Sequence, residues 1–421
     1  MIGFLLFTAC SDYELNSIST PNDGVDSSLF METDGLTEEG EDIPTEEFSS
    51  TVEFAELFTE AVELEVNDVD IAFVLDTTGS MTEEAQSLAN EFSSIVDDLS
   101  NSIPNAAYGF ATFDDYNFFH FGSGMDRPFS LHNQITTNLE SVQTSLNSIT
   151  MHDGKDTTES GMEALYQALT GLGYDQNGDG IYDPNTDILP FIAKSEDAFG
   201  GTVDGAYDSG VAGSGTLGGF GFREGSLPVI VYATDAPMRD RDLGDPVPHY
   251  SPNHTAGSTD VVHASDDLGA RLIGVATQSL VPVSQMNDLA SRTGSVYDQN
   301  GDGSNNTPLV FNWSYSSEAF RNTIVESVEG LLASVTFDTV SAQVKGNDYG
   351  FNVVIEPPMY ENVLVGTDGA ELEFNVVIHG EVDALPQEQV FPMTLEIYGD
   401  DSTLLGTKDV TIRVPAVPNA N

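Results

Sequence analysis

Basic residues are scarce in this chain: 12 Lys and Arg stand against 69 Asp and Glu, a formal net charge of −57. None of them precedes Arg127. Phosphate binding needs clustered Lys and Arg, so nucleic acid is excluded as a partner and anionic surfaces are repelled. Such acidity fits a salt-adapted surface, a set of divalent-cation sites, or both. Cysteine is almost missing as well. Cys10 is the only one, so no disulfide forms within the chain, and stability outside the cell must come from packing or bound metal. After the first few residues no run is long and apolar enough to cross a bilayer. Gly-x-Ser-x-Gly, Walker, His-x-x-x-His and Cys-rich spacings are all absent, which removes the common signatures of serine hydrolases, nucleotide phosphatases and zinc centres.

What remains is 421 residues with 39% hydrophobic content, sufficient for two or three domains with a proper core. The opening "MIGFLLFTA" ends in small residues just before Cys10 and an acidic stretch. It resembles the tail of a bacterial lipoprotein signal, over residues 1–10, with Cys10 as the lipidated residue. That resemblance implies a lipid-anchored protein of the bacterial cell envelope, at the outer membrane or cell surface, touching membrane only through the anchor. Residues 11–50 have the Ser, Thr, Asp, Glu and Gly content of a disordered acidic tether. Residues 51–67 hold a pattern ambiguous between helix and strand, with a final alternation that favours a strand, serving as a linker or joining a distant sheet.

From 68 to 335 apolar strands alternate with helical patterns, which predicts an α/β domain: a doubly wound, mainly parallel sheet with helices on both faces. Strands are expected at Val69 to Leu75, Ala107 to Phe113, Pro228 to Ala233 and Arg271 to Ala276. Helices are expected at Thr82 to Leu99, Ile135 to Ile149, Glu159 to Leu169, Ser284 to Arg292 and Ser317 to Leu332. Over 336–421 short β-rich runs separated by Gly, Pro and Asp turns predict an immunoglobulin-like β-sandwich. Residues 51–67 are a candidate extra strand for it.

The stretch "DIAFVLDTTGSM" places Asp76, Thr78 and Ser80 on alternate positions just past a buried strand. Parallel sheets bind ligands at this carboxyl edge. One carboxylate with two neutral hydroxyls suits a hard cation that keeps several waters, Mg²⁺ first and Mn²⁺ or Ca²⁺ next. The competing reading is a helix cap, since Ser80 and Glu83 also satisfy a capping-box pattern. Asp-x-Thr-Gly-Ser after an apolar strand resembles the metal-ion-dependent adhesion site of a von Willebrand factor type A domain. "DGKDTTESG" at Asp153 resembles that family's third loop, and "LPVIVYATDAP", with Asp235, its fourth strand and following aspartate. "GFATFDD" at Gly109 and "FGFREGSLPVIVYATDAP" at Phe220 resemble the integrin β-subunit version in particular.

The resemblance, covering Asp68 to Val335, implies a Mg²⁺ or Mn²⁺ ion held by Asp76, Thr78, Ser80, Glu159 and Asp235. It further implies an adjacent regulatory Ca²⁺ site at Glu83 and Glu84, and a third, flanking site at Asp115 and Asp156. Glu83 and Glu84 stand where the family has aspartates, Gly154 replaces an asparagine and Thr158 a proline. Acidic residues are also favourable in a first helical turn without any metal.

Two further loops are Asp-rich. In "DQNGDGIYDPNTD" the residues Asp175, Asn177, Asp179, Asp183 and Asp187, with the carbonyl of Ile181, have the spacing of an EF-hand-like Ca²⁺ loop. "DQNGDGSNN" repeats its first half with Asp298, Asn300 and Asp302. Metal-free Asx turns are the alternative for both. The glycine-rich Phe199 to Gly221 reads as an irregular excursion, since no Lys follows its glycines.

Together these features predict a non-enzymatic, metal-ion-dependent binding or adhesion protein whose Mg²⁺ takes a carboxylate from a partner protein. An envelope assembly or scaffold factor using the same ion to recruit a subunit is the alternative. A metal-dependent hydrolase ranks below both, because His152, His249, His254 and His263 scatter through the sequence without a base constellation.

Overall fold

Two apolar periodicities build two kinds of layer. The computed structural model describes residues 51–117, 120–193, 203–248, 255–277, 280–299, 307–313, 316–366 and 369–418, all within a unit that begins at Ser49. Cys10, His249, His254, Asn300 and Asp302 lie outside the described residues.

The first strand, β1 (Thr51–Leu64), precedes the α/β layers but pairs antiparallel with a strand near the end of the chain, from Thr51 opposite Asp383 to Leu64 opposite Ala370. Next comes β2 (Asp68–Asp76), whose side chains alternate between two cores. Ile71, Phe73 and Leu75 face one, Ala72 and Val74 the other. Burial on both sides explains why the strand reads as a continuous apolar run. Helix α1 (Thr82–Leu99) follows, and its buried Leu88, Phe92, Ile95 and Leu99 recur at helical spacing against the first core.

The chain continues through β3 (Asn105–Phe113), β4 (Ser130–Thr136), α2 (Leu139–Leu146), α3 (Gly161–Thr170), β5 (Leu227–Thr234), α4 (Ser258–Leu268), β6 (Arg271–Thr277) and α5 (Val283–Arg292). A two-strand ribbon, β7 (Val296–Tyr297) with β8 (Thr307–Pro308), leads to β9 (Val310–Trp313) and α6 (Ser317–Ala333). The six-stranded sheet has the order β4-β3-β2-β5-β6-β9, parallel except for β4. Helices α1, α2 and α6 cover one face; α3, α4 and α5 cover the other.

Only Ser334 separates α6 from the sandwich, which comprises β10 (Val335–Lys345), β11 (Asn352–Glu356), β12 (Met359–Val365), β13 (Ala370–Asp383), β14 (Gln389–Gly399) and β15 (Thr403–Val414). Its sheets run β1-β13-β11 and β12-β10-β14-β15. Phe337, Phe374, Leu395 and Ile412 are buried in the same continuous core as Phe73 and Ile324.

The expected helix at Ile135 to Ile149 divides in two. Ile135 and Thr136 are buried β4 residues, and Asn138 then caps α2 by accepting from the Ser141 amide at 3.3 Å. The cap outweighs the apolar spacing that spans it. Helix α4 was not expected, because its Ser- and Asp-rich sequence buries only a narrow stripe, chiefly Val261, Val262 and Ala264.

At the start of β2 the sheet is fastened by a buried charge. Asp70 is fully buried and accepts from the Arg223 amide (2.6 Å), Arg223 Nε (2.7 Å) and Ser226 Oγ (2.8 Å). This clasp anchors the glycine-rich excursion to the central strand. Removing the guanidinium leaves the carboxylate buried without its counter-charge. Arg223→Ala is therefore expected to destabilise the fold by about 3 kcal/mol in urea unfolding, an order-of-magnitude figure for breaking a buried pair.

Candidate metal centre

Because β2, β3 and β5 are parallel, their carboxyl ends meet at one edge. Asp76 stands opposite Phe113, and Leu75 opposite Ala233, so the segments after all three strands emerge side by side. Asp76 is fully buried there. Its Oδ1 accepts from the Thr78 amide (2.9 Å) and hydroxyl (2.8 Å), while Oδ2 accepts from Thr234 Oγ1 (2.6 Å). Thr78 and Ser80 hydroxyls lie 3.5 Å apart, and Ser80 Oγ donates to Asp235 Oδ1 at 3.0 Å. Residues 155 positions apart in sequence are thus joined through one hydroxyl.

The third loop arrives by backbone pairing. His152 donates its amide to Thr77 O (2.9 Å), and Glu159 is bridged to Met238 through Glu159 N to Pro237 O (2.9 Å) and Arg239 N to Glu159 O (2.7 Å). Glu159 precedes α3 rather than opening it, so its side chain is free of the helix. A β-carbon at Gly154 would sit 3.1 Å from Glu159 Oε1 and 3.4 Å from Thr78 Cγ2, and its φ of +57° disfavours any other residue. The glycine leaves Glu159 and Thr78 close together. Glu159 Oε2 is buried without a hydrogen-bond partner.

Burial pushes the Asp76 carboxyl up to about 7, against the pull of its Thr234 and Thr78 hydrogen bonds. Burial first, and then the neighbouring charges of Asp76, Asp115 and Asp156, together raise Glu159 to about 9. Three loops therefore bring oxygen donors to one place, with a negative charge that the hydrogen bonds do not neutralise. An oxygen-only donor set with an orphaned carboxylate oxygen fits a hard divalent cation.

The flanking positions differ. Glu83 is exposed at the start of α1, whereas Glu84 is buried in that first turn. Asp115 and Asp156 do come together, but around a guanidinium: Arg239 Nη2 donates to Asp115 Oδ2 (3.0 Å) and to both Asp156 oxygens (2.8 Å each). A flanking metal does not fit between them while Arg239 is there. The sequence offered one signal for this residue, an Arg four positions after Asp235, with Arg241 close behind, in a chain poor in basic residues.

Thr77, Asp114, His152 and Thr234 were also missed as supports. Asp114 accepts from Thr77 Oγ1 (2.8 Å) and lies 2.8 Å from His152 Nδ1, bracing the loops from beneath. Asp114, Asp126 and His152 form the one group of three such ligands within 4.8 Å of one another among the described residues. Asp126 is already engaged by Ser123, through its amide (2.6 Å) and hydroxyl (2.8 Å).

In the first Asp-rich loop, carboxylate and amide oxygens fold back on the backbone. Asp175 takes the amides of Gly178 and Gly180 (2.8 Å each), Asn177 that of Asp179 (2.8 Å), and Asp179 that of Ile181 (2.8 Å). Asp187 closes the loop by accepting from Gln176 N (3.0 Å) and Asp183 N (2.7 Å). Gly180, at φ +80°, makes the sharp turn of the loop. Of the second loop's candidate ligands only Asp298 is described, just beyond β7.

Carboxyls raised on folding stabilise the protein while protonated, below the unfolded pKa of about 4, and that contribution is lost as pH rises through the folded values. Without divalent ions, the melting temperature is expected to fall as pH rises from about 4 up to the Asp76 value of about 7 and the Glu159 value of about 9. Thermal melts in EDTA across that range measure it, and Mg²⁺ should reduce the fall.

No curated protein matches the chain. Among solved structures, the pilus adhesin SpaC from Lactobacillus rhamnosus GG, in its open conformation, is similar at 11% identity and a TM-score of 0.35. The alignment covers 87% of this chain and 47% of the adhesin, so the chain spans about half of that protein's length. The ArnB paralog VWA2 from Sulfolobus acidocaldarius gives 12% identity and a TM-score of 0.33 over 88% of this chain and 73% of that one. Proximal thread matrix protein 1 from the mussel byssus gives 10% and 0.33, over 63% of this chain and 49% of that one. The family match is more local, covering residues 70–173, from the base of β2 past the end of α3. That match is to the von Willebrand factor A domain, and with a doubly wound sheet whose central strand ends in Asp76 it supports such a domain in this part of the chain.

Proposed function

We propose that the chain is a metal-ion-dependent binding protein of the bacterial cell envelope, whose von Willebrand factor A domain captures a carboxylate of a partner protein. The observation that carries this reading is the convergence of three loops on the oxygens of Asp76, Thr78, Ser80 and Asp235, with Glu159 Oε2 buried and unpartnered beside them. Mg²⁺, or Mn²⁺, bound there would supply an electrophilic position that an Asp or Glu of the partner can fill.

The chain's own residues do the remaining work. Thr234 and the Thr78 amide fix the Asp76 carboxylate in orientation before any ion arrives. Ser80 links the first loop to Asp235, and the Glu159–Met238 bridge holds the third loop in register. Neutral hydroxyls leave a bound ion more positive than a ring of carboxylates would. With a net charge of −57, an anionic partner is attracted locally against an unfavourable background field. Affinity then depends on divalent ion and on ionic strength, because salt screens charges beyond about 8 Å at physiological strength. Ca²⁺ in the Asp175 loop would serve as a structural staple, and a lipid at Cys10 would hold the protein at the envelope.

Adhesion to a foreign surface is the leading role. Recruitment of a neighbouring envelope subunit uses the same chemistry. The hydrolase reading gains one observation, the His152–Asp114 pair beneath the loops. His152 is tied to that carboxylate, and His263 is exposed on α4, away from the three loops by topology.

Capture of partners from envelope extracts is expected in Mg²⁺ and not in EDTA, and to be lost in Asp76→Ala with folding retained by circular dichroism. Undiminished capture by Asp76→Ala would remove the ion from the mechanism. Ester or phosphate turnover that disappears with the same substitution would favour the hydrolase instead.

A further inference from the structure

The flank of the metal centre contains a cation already, built into the chain. Arg239 is 3% exposed. Its Nη2 lies within hydrogen-bond reach of four oxygens: Asp115 Oδ2 at 3.0 Å, Asp156 Oδ1 and Oδ2 at 2.8 Å, and Thr158 O at 2.6 Å. An amino end of guanidinium has only two N–H groups. Four oxygens around it are therefore gathered by charge as much as by hydrogen bonding, the kind of oxygen shell a hard cation draws.

The rest of the guanidinium is held less completely, since Nε is buried without a hydrogen-bond partner. Nη1 donates to Pro246 O at 3.2 Å, and the guanidinium carbon lies 4.5 Å from the centre of the Phe121 ring. Asp115, fully buried, has its other oxygen on the Tyr116 amide at 2.7 Å. The Arg239 backbone is hydrogen-bonded to Glu159 (2.7 Å), so the charge is connected through one residue to the loop that carries the orphaned carboxylate.

We propose that Arg239 is a tethered stand-in for a flanking metal ion: it holds Asp115, Asp156 and the Thr158 carbonyl together, so that the flank of the centre binds no divalent cation. A side chain cannot dissociate, so the loop bearing Glu159 stays positioned whatever the external Ca²⁺ concentration. An ion at Asp76 would then load onto a flank that needs no prior metal. The inference rests on reading the Asp76 edge as an ion site only for that last consequence; the flank itself is defined by Arg239.

The test counts bound Ca²⁺ per chain by equilibrium dialysis on the full chain. Asp156→Asn is expected to bind as many Ca²⁺ ions as the unsubstituted protein, and a loss of one ion would overturn the proposal. Arg239→Ala vacates the oxygen shell and is expected to gain one Ca²⁺. Its melting temperature should drop in EDTA and recover with Ca²⁺, and both effects should vanish in Arg239→Ala/Asp156→Asn. A folded Arg239→Ala that gains no ion contradicts the stand-in role. If it does not fold, Arg239→Lys, which keeps a charge, must retain the original Ca²⁺ count; a gain there counts against the proposal. Mg²⁺ binding lost in Asp76→Ala reports on the other centre, so either reading can fail alone.

Discussion

Everything at the functional edge follows from one carboxylate placed where water cannot reach it and no basic side chain meets it. Asp76 ends the central strand of a sheet covered on both faces, and its three hydrogen bonds come from neutral groups. Neutral donors orient a carboxylate but do not cancel its charge. Glu159 and Asp235 add two more acids from separate loops, and burial with the neighbouring charges pushes Glu159 up to about 9. Such a cluster is satisfied by protons or by a cation. The same chain shows the contrasting solution twice: Asp70 is paired with Arg223 at the other end of β2, and Asp115 with Arg239 beside the cluster. The chain has 12 basic residues in all; among the described ones, two are committed to buried carboxylates next to this strand, and none to Asp76.

The arrangement depends on parallel strands. Register between β2, β3 and β5 brings the segments after Asp76, Phe113 and Thr234 to one edge, and the Glu159–Met238 bridge adds the fourth segment. The sandwich is not a separate bead on this scaffold. β1 enters it before the α/β layers begin, α6 runs into it after they end, and the two share a continuous core. The α/β domain is in effect an insertion between two strands of the sandwich.

How much of this was legible in the sequence depends on distance along the chain. β2 and α1 are contiguous patterns, and the Asp76, Thr78, Ser80 spacing is local, so strand, loop and helix could be read directly. Asp235 could be placed because it follows an apolar strand in the same way. Arg239 could not: its partners are Asp115 and Asp156, and only the fold brings 115, 156 and 239 together. Asp70 illustrates the same limit, since a charged residue inside a buried strand gives no local sign of the Arg223 that closes over it. The false helix from Ile135 arose from apolar spacing that ran across the Asn138 cap, and α4 was overlooked because its buried stripe is narrow. Local chemistry was readable, whereas long-range pairing of charges was not.

The account's central claim is that the buried carboxylate of Asp76 and its neighbours from three loops hold a divalent ion. Anomalous diffraction from crystals of the full chain grown with Mn²⁺ measures this most directly. A peak is predicted among Asp76, Thr78, Ser80, Glu159 and Asp235, with none between Asp115 and Asp156. A map with no peak at the Asp76 edge, while Mn²⁺ is present and the three loops are ordered, would contradict it.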